Sequence, residues 1–296
     1  MIKGRAEKTG MYPLRFVFPI LGLYILFFFL PGLWGVWYSF TDWNTFHEDV
    51  NFVGLDNYIR VFTSNNDYSR YIWNTIRFTI ISNIVKLIPA FFLALMLNSG
   101  MRGRNVYRAI LYFPSALPYL VIGLIFRSIL HPGNGLLNKT LELMHLGFLR
   151  QEWLADPGVV WGSIFAVDAW RGIGYVMTIF MAGLQAIPQE LYESADIDGA
   201  GFWRKLVYVT IPMIVPSITI SLIFGLAYGL KVFDVIYVLT NGGPGRETEV
   251  LATSVFREFS NGNYAISSTL NTLLFVFMAI LACFIVTKLN KRVVEL

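Results

Sequence analysis

Six apolar runs, each long enough to cross a lipid bilayer, dominate this chain and limit what it can fold into. They cover residues 16–39, 73–97, 107–130, 158–184, 213–236 and 265–288. A helix needs about 20 predominantly apolar residues to span the hydrocarbon core. A membrane barrel would instead show apolar and polar residues alternating over segments of about ten residues, and these runs do not alternate. The sequence therefore predicts an all-α, polytopic membrane protein with six transmembrane helices.

The composition agrees with insertion into a membrane. Of the 296 residues, 55% are hydrophobic and only 14% are charged. Soluble domains carry about 25% charged residues, so a soluble fold would lack the polar side chains needed to cover its surface. Because no internal repeat divides the chain, we expect residues 1–296 to form a single transmembrane domain, with residues 1–12 as a mobile cytoplasmic tail.

The distribution of Lys and Arg predicts which segments face the cytoplasm, because these residues stay on that side during insertion. The two tails and the loop between predicted helices 2 and 3 are basic, through Lys3, Arg5, Lys8, Arg15, Arg102, Arg104, Arg108, Lys288, Lys291 and Arg292. Segments 42–70 and 131–157 are acidic or balanced and are expected outside. Both termini, and the loop between predicted helices 4 and 5, are therefore predicted to be cytoplasmic.

That loop contains an unusually charged stretch, ELYESADIDGAGFWRKL, at residues 190–206. Residues 188–198 are predicted to form a short amphipathic helix, which Gly199 ends by adopting a positive φ. A second helical stretch follows, in which Arg204 and Lys205 are expected to face lipid headgroups. A plain connection needs only a few residues. Two interpretations stay open: a loop that merely caps the bundle, or a surface on which a partner docks.

The stretch ESADIDGAGFWRKLVYVTIP, residues 193–212, resembles the EAA loop of permease subunits of binding-protein-dependent ABC importers. That loop reads Glu-Ala-Ala, three residues, Gly, nine residues and a closing hydrophobic-x-hydrophobic-Pro; Ser194 replaces the second residue. SFTDWN at 39–44, NFVGLDNY at 51–58 and VFDVIYVLTNGGPGRETEVL at 232–251 resemble the carbohydrate-importing branch, the maltose and glycerol-phosphate permease type.

The resemblance implies a cytoplasmic coupling loop at 185–212 that docks on an ATPase subunit, with Glu193 pairing a basic residue there. The implied coupling residues are Glu193, Ser194, Ala195, Asp198, Gly199 and Ala200. It further implies a plasma (inner) membrane assembly with a second, related permease subunit, two ATPase subunits that bind ATP and Mg, and an extracytoplasmic solute-binding protein. This chain would be no enzyme, would bind no cofactor and would contact lipid but no nucleic acid.

Ionisable residues at membrane depth are costly and need a partner, a wet cavity or a function. Lys86 lies near the middle of predicted helix 2. Asp168 with Arg171, and Lys231 with Asp234, are spaced i, i+3 and could neutralise each other. Polar and aromatic groups also suit polyol binding, and the resemblance places sugar contacts on predicted helices 4 and 5. The predicted substrate path comprises Asp168, Arg171, Gly172, Tyr175, Tyr228 and Val232.

Several other functions find little support in the sequence. No phosphate-binding G-x-x-x-x-G-K-[ST] motif occurs, and His47, His131 and His145 lack metal-ligand spacing. A membrane-embedded enzyme would need a cluster of His, Asp or Glu near an interface, which the spacing does not offer. The alternatives that stay open are an ion- or proton-coupled secondary carrier and an ABC importer for a non-sugar solute.

Overall fold

The computed structural model describes residues 17–47, 49–63 and 67–293, which form helices joined by turns and loops. The predicted tail at 1–12 lies outside the described residues. The helices are α1 (Val17–Tyr38), α2 (Asp56–Thr63), α3 (Tyr68–Asn98), α4 (Arg104–Ala116), α5 (Tyr119–Ile129), α6 (Leu136–Leu143), α7 (Val160–Gln185), α8 (Gln189–Ile197), α9 (Phe202–Met213), α10 (Val215–Leu230), α11 (Asp234–Leu239), α12 (Leu251–Ser260) and α13 (Tyr264–Val293).

The predicted all-α membrane fold is confirmed, although two predicted spans are not continuous helices. Helices α1, α3, α7 and α13 are long and apolar enough to cross a bilayer. The predicted span 107–130 is instead divided into α4 and α5, which meet at 97°, and α9 and α10 meet at 64°. If each bent pair counts as one span, the described chain has up to 6 spans.

Proline causes both breaks. Leu117 precedes Pro118 and is extended (φ −80°, ψ 139°), since a residue before proline is disfavoured in the helical region. Near the second break, Pro216 offers no N–H to the carbonyl four residues earlier, that of Pro212. The predicted span 213–236 also ends early, because α10 stops at Leu230 and α11 is a separate helix.

Two apolar clusters lie at different heights of the bundle, with a polar layer between them. The Phe78 cluster contains Phe78, Trp161, Ile164, Phe165, Val232, Ile236 and Leu239. The Met177 cluster contains Ala90, Ala94, Met177, Phe180, Leu184 and Ile214. Along α3, α7 and α10 the chain passes from one cluster to the other through residues 82–86, 168–172 and 221–228. Polar side chains therefore meet near the middle of the spans.

The segment that follows α11 is fixed to the first turns of α3. The Asn74 side-chain amide donates to the carbonyls of Glu247 and Glu249, each at 2.9 Å. The Thr75 hydroxyl accepts from the Leu251 N–H at 2.9 Å, and Arg70 pairs with Glu247. The stretch NGGPG at 241–245 does form a turn, but it follows α11 rather than the end of a single long helix.

Candidate functional site

Asp168 on α7 is the centre of the polar layer and is only 1% exposed. Its Oδ2 accepts from the Ser82 hydroxyl at 2.5 Å. Its Oδ1 accepts from the hydroxyls of Tyr119 at 3.0 Å and Tyr228 at 2.8 Å. The two tyrosine hydroxyls lie 2.5 Å apart, and their rings stack within 10° of parallel. The carboxylate thus joins α3, α5, α7 and α10 at one point.

Lys86 on α3 supplies the charge that balances Asp168. Its Nζ lies 3.0 Å from Asp168 Oδ2 and 4.5 Å from the centre of the Tyr228 ring. A Cβ on Gly172 would lie 2.5 Å from Lys86 Cδ, so the glycine leaves room for the lysine stem. Lys86 is 7% exposed. Lys86 is therefore the counter-ion of Asp168 across the interface between α3 and α7.

Neither of the i, i+3 pairs considered from the sequence forms. Arg171 does not pair with Asp168; its Nε donates to the Leu117 carbonyl at 3.3 Å, and its Cζ lies 3.8 Å above the Tyr119 ring. Arg171 thereby satisfies a carbonyl that the break between α4 and α5 leaves free. Lys231 and Asp234 are both exposed and unpaired in the described chain, because the helix ends between them.

A cavity of about 470 Å³ lies beside this polar layer. It is lined by Asn83, Lys86, Leu87, Tyr112, Ser115, Tyr119, Arg171, Gly172, Tyr175, Val176, Ser221, Phe224, Gly225 and Tyr228. Of the predicted substrate-path residues, Arg171, Gly172, Tyr175 and Tyr228 line it. Asp168 is buried behind the side chains that line the cavity, and Val232 lies in the Phe78 cluster.

The sequence analysis did not single out Tyr119, Ser82, Asn83 or Ser221. Tyr119 directly follows Pro118, so the proline was a signal that its side chain begins a new helix near the break. Ser82 and Asn83 precede Lys86 by about one turn, which a search for polar neighbours of an intramembrane lysine would have found.

A second, more polar cavity of about 710 Å³ lies beside the end of α1 and the start of α13. Asp42, Trp43, Arg60, Arg246 and Glu258 are among its lining residues. The backbone and side-chain amides of Asn51 donate to the Asp42 carboxylate and hold its pKa below the usual 3.8. This end of the protein therefore presents a charged recess formed by segments that the sequence predicts to face outward.

The loop between α7 and α9 presents α8 as an exposed helix. None of the α8 side chains is buried against the described chain, and Ile197 is 87% exposed. Glu193 is exposed and accepts from the Gln189 side-chain amide at 2.9 Å. Gly199 has φ +70°, as predicted for a residue that ends the helix. The helix therefore projects an apolar tip and acidic residues away from the bundle.

The base of α8 is nevertheless held firmly. The Tyr192 hydroxyl lies 2.9 Å from Thr210 Oγ1 on α9, and its ring packs against the Met177 cluster. Lys205, which the sequence predicts to face lipid headgroups, pairs with Asp196. These contacts join α8 to α7 and α9, so a displacement of α8 would be transmitted to the bundle.

Among the described residues, no group of three or more His, Cys, Asp or Glu side chains is placed to hold a metal ion. The site consists instead of a membrane-depth cavity, a balanced buried ion pair and an exposed helical loop. Broken membrane helices around a cavity that contains polar groups define the class: a transport component of a membrane.

Comparison with known protein families identifies the family of this chain. Residues 86–295 match the binding-protein-dependent transport system inner membrane component family, and the chain belongs to it. It is similar to the trehalose/maltose transport system permease protein MalF of Thermococcus litoralis, with 34% identity over 278 residues covering 94% of this chain and 92% of that protein.

Two further comparisons agree. The sn-glycerol-3-phosphate transport system permease protein UgpA of Escherichia coli O157:H7 is 30% identical over 291 residues, covering 97% of this chain and 95% of that protein. A solved bacterial ABC transporter that imports the acidic polysaccharide alginate matches with a TM-score of 0.83 and 24% identity, over 95% of each chain. The solved structure shows that the fold is shared.

Proposed function

We propose that residues 1–296 form the membrane-spanning permease subunit of an ATP-driven importer for a sugar or a related polyol derivative. The observation that carries the proposal is the cavity at membrane depth, which combines aromatic faces with hydrogen-bonding groups. Relatives named for trehalose/maltose and for sn-glycerol-3-phosphate transport support the substrate class.

The chemistry of the cavity suits a polyol. Tyr112, Tyr175 and Phe224 are 43%, 44% and 55% exposed, so their rings offer flat apolar surfaces to the C–H faces of a sugar. Ser115 and Arg171 offer polar atoms to its hydroxyls. A few well-placed polar groups in a largely apolar pocket fix the orientation of a small ligand.

The exposed helix α8 couples the permease to ATP hydrolysis in this proposal. In this proposal both termini and α8 face the cytoplasm, where two ATPase subunits hold ATP and Mg and receive α8 through Glu193, Ser194, Ala195, Asp198, Gly199 and Ala200. A second, related permease subunit completes the pore, and a solute-binding protein delivers the substrate outside. Because Tyr192 and Lys205 tie α8 to the bundle, closure of the ATPases moves α7 and α10 and alternates access to the cavity.

The substrate class is tested by uptake into proteoliposomes that contain the purified complex. Maltose, trehalose and glycerol 3-phosphate are compared with amino acids and a dipeptide, with and without ATP. ATP-dependent uptake of a saccharide or polyol derivative is expected. Uptake of only the nitrogenous solutes would assign the importer to a non-sugar solute, and uptake driven by an ion gradient without ATP would contradict the proposal.

Removing the Tyr175 ring is expected to weaken saccharide transport. Its ring makes no aromatic contact in the described chain and lines the cavity, so Tyr175→Ala should raise the sugar concentration for half-maximal uptake roughly tenfold while the protein stays folded. Tyr107→Ala removes a similarly exposed ring (50%) outside the cavity and is the matched control. Equal uptake by the two variants would remove Tyr175 from the substrate path.

Changes in the loop are expected to separate ATP hydrolysis from transport. Glu193→Gln removes the charge proposed to pair with the ATPase, and Gly199→Val forces a β-branched residue into a positive φ that it strongly disfavours. Both should abolish uptake and the stimulation of ATP hydrolysis by substrate, while basal ATP hydrolysis continues and membrane insertion is normal. Glu190→Gln, an exposed carboxylate on the same helix, is the control. Normal uptake in both loop variants would contradict the coupling role.

A further inference from the structure

The side-chain hydroxyl of Ser221 on α10 makes no hydrogen bond to the described residues. The residue is 3% exposed, its Oγ has no hydrogen-bond partner in the described chain, and it lines the cavity of about 470 Å³. Buried hydroxyls are normally paired, since leaving one unpaired in the protein is unfavourable.

Other hydroxyls in the bundle show what Ser221 fails to do. A Ser or Thr in a membrane helix can donate to the carbonyl one turn earlier. Thr75 and Thr79 on α3 donate to the carbonyls of Tyr71 and Thr75, at 2.8 and 2.7 Å. Thr178 on α7 donates to the Gly174 carbonyl at 2.9 Å. The Ser221 hydroxyl makes no such bond to the described residues.

Asn83 on α3 lines the same cavity with a matching free acceptor. Its side-chain N–H donates to the Thr79 carbonyl at 2.7 Å, and its Oδ1 accepts no bond from the described residues. Gly225, one turn after Ser221, permits this arrangement, because a Cβ there would overlap Asn83 Oδ1 itself. The carboxamide is therefore packed directly against the turn of α10 that carries Ser221.

We propose that Ser221 and Asn83 form a subsite for one hydroxyl group of the transported sugar or polyol. This inference rests on the proposed function and adds the residues that set specificity within it. In this subsite a substrate hydroxyl would accept from Ser221 Oγ and donate to Asn83 Oδ1, and so satisfy both groups. A site built in this way rejects an analogue that lacks the hydroxyl, because its own polar groups then stay unpaired.

The test is equilibrium binding of radiolabelled maltose, trehalose and glycerol 3-phosphate to the detergent-solubilised complex without the solute-binding protein. Ser221→Ala is expected to weaken binding of the tightest of these probes roughly tenfold. A series of monodeoxy analogues should contain one that binds wild type roughly tenfold more weakly than the parent and binds the variant as well as the parent does. Thr178→Val, which removes a hydroxyl outside the cavity, should leave binding unchanged.

Thermal unfolding separates this role from a structural one. Because Ser221 Oγ makes no hydrogen bond to the described residues, Ser221→Ala should keep or raise the melting temperature while it weakens binding. Two outcomes would overturn the subsite and leave the proposed function intact. One is equal affinity of wild type and Ser221→Ala for the probe. The other is a loss of affinity in Ser221→Ala that adds in full to the loss caused by every deoxy analogue. Failure of every probe to bind wild type would overturn the proposed function as well.

Discussion

Replacing Asp168 by leucine is expected to lower the free energy of unfolding by about 3–5 kcal/mol, because Lys86 would then be buried without its counter-ion. Lys86 is 7% exposed, and Asp168 Oδ2 is the carboxylate within 3.0 Å of it. The hydroxyls of Ser82, Tyr119 and Tyr228 would lose their acceptor as well. Thermal or denaturant unfolding of the purified complex in detergent measures the loss.

A double variant distinguishes an unpaired charge from loss of packing. When both members of a buried pair are replaced by apolar residues of similar size, stability is often nearly unchanged. Lys86→Met combined with Asp168→Leu should therefore be markedly more stable than Asp168→Leu alone. Asp234→Leu, which removes an exposed and unpaired carboxylate, is the matched control. A single Asp168→Leu variant as stable as wild type would show that the pair is not held in a low-dielectric site.

Stability of the double variant would also bear on why the pair exists. If apolar residues fold equally well, then the polar layer is retained for transport. Its position supports that conclusion, since Lys86 and Tyr228 line the cavity while Asp168 holds both of them from behind. The double variant is accordingly expected to insert and fold but to lose sugar uptake.

The bounds of individual helices follow from the sequence because each depends on residues within its own segment. Four predicted spans are continuous helices within a few residues of the predicted bounds, and α8 at Gln189–Ile197 lies inside the predicted 188–198. Apolar length dictates the spans, and glycine at a positive φ dictates the end of α8. Each of these signals is local to its own segment.

The details of the site could not be predicted because they depend on how helices rotate and pack. Asp168 and Arg171 share a face of α7, yet Asp168 finds its partner on α3 and Arg171 finds a carbonyl at the α4–α5 break. The prolines were visible in the sequence, but whether a proline bends a membrane helix or divides it depends on the neighbours that satisfy the freed carbonyls. Tyr119 enters the site only because the helix divides there.

Adding a single methyl group at Gly174 is expected to destabilise the protein by about 1–3 kcal/mol, through overpacking of α7 against α4. A Cβ at this position would overlap the Leu111 carbonyl and would lie 2.8 Å from the Tyr112 Cα. These are backbone atoms, so no side chain can rotate away and α4 itself must shift. Small residues at such contacts are what allow membrane helices to approach closely.

Gly162 on the same helix is a control at which the change to alanine is not expected to destabilise the protein. No heavy atom of the described residues lies within 4 Å of a Cβ built on Gly162, the control position on α7. Alanine favours a helix over glycine by about 1 kcal/mol, so Gly162→Ala should be neutral or slightly stabilising. Gly174→Ala should also reduce saccharide uptake, since displacement of α4 moves the cavity wall at Tyr112 and Ser115. Similar melting temperatures for the two variants would show that the α4–α7 contact tolerates expansion.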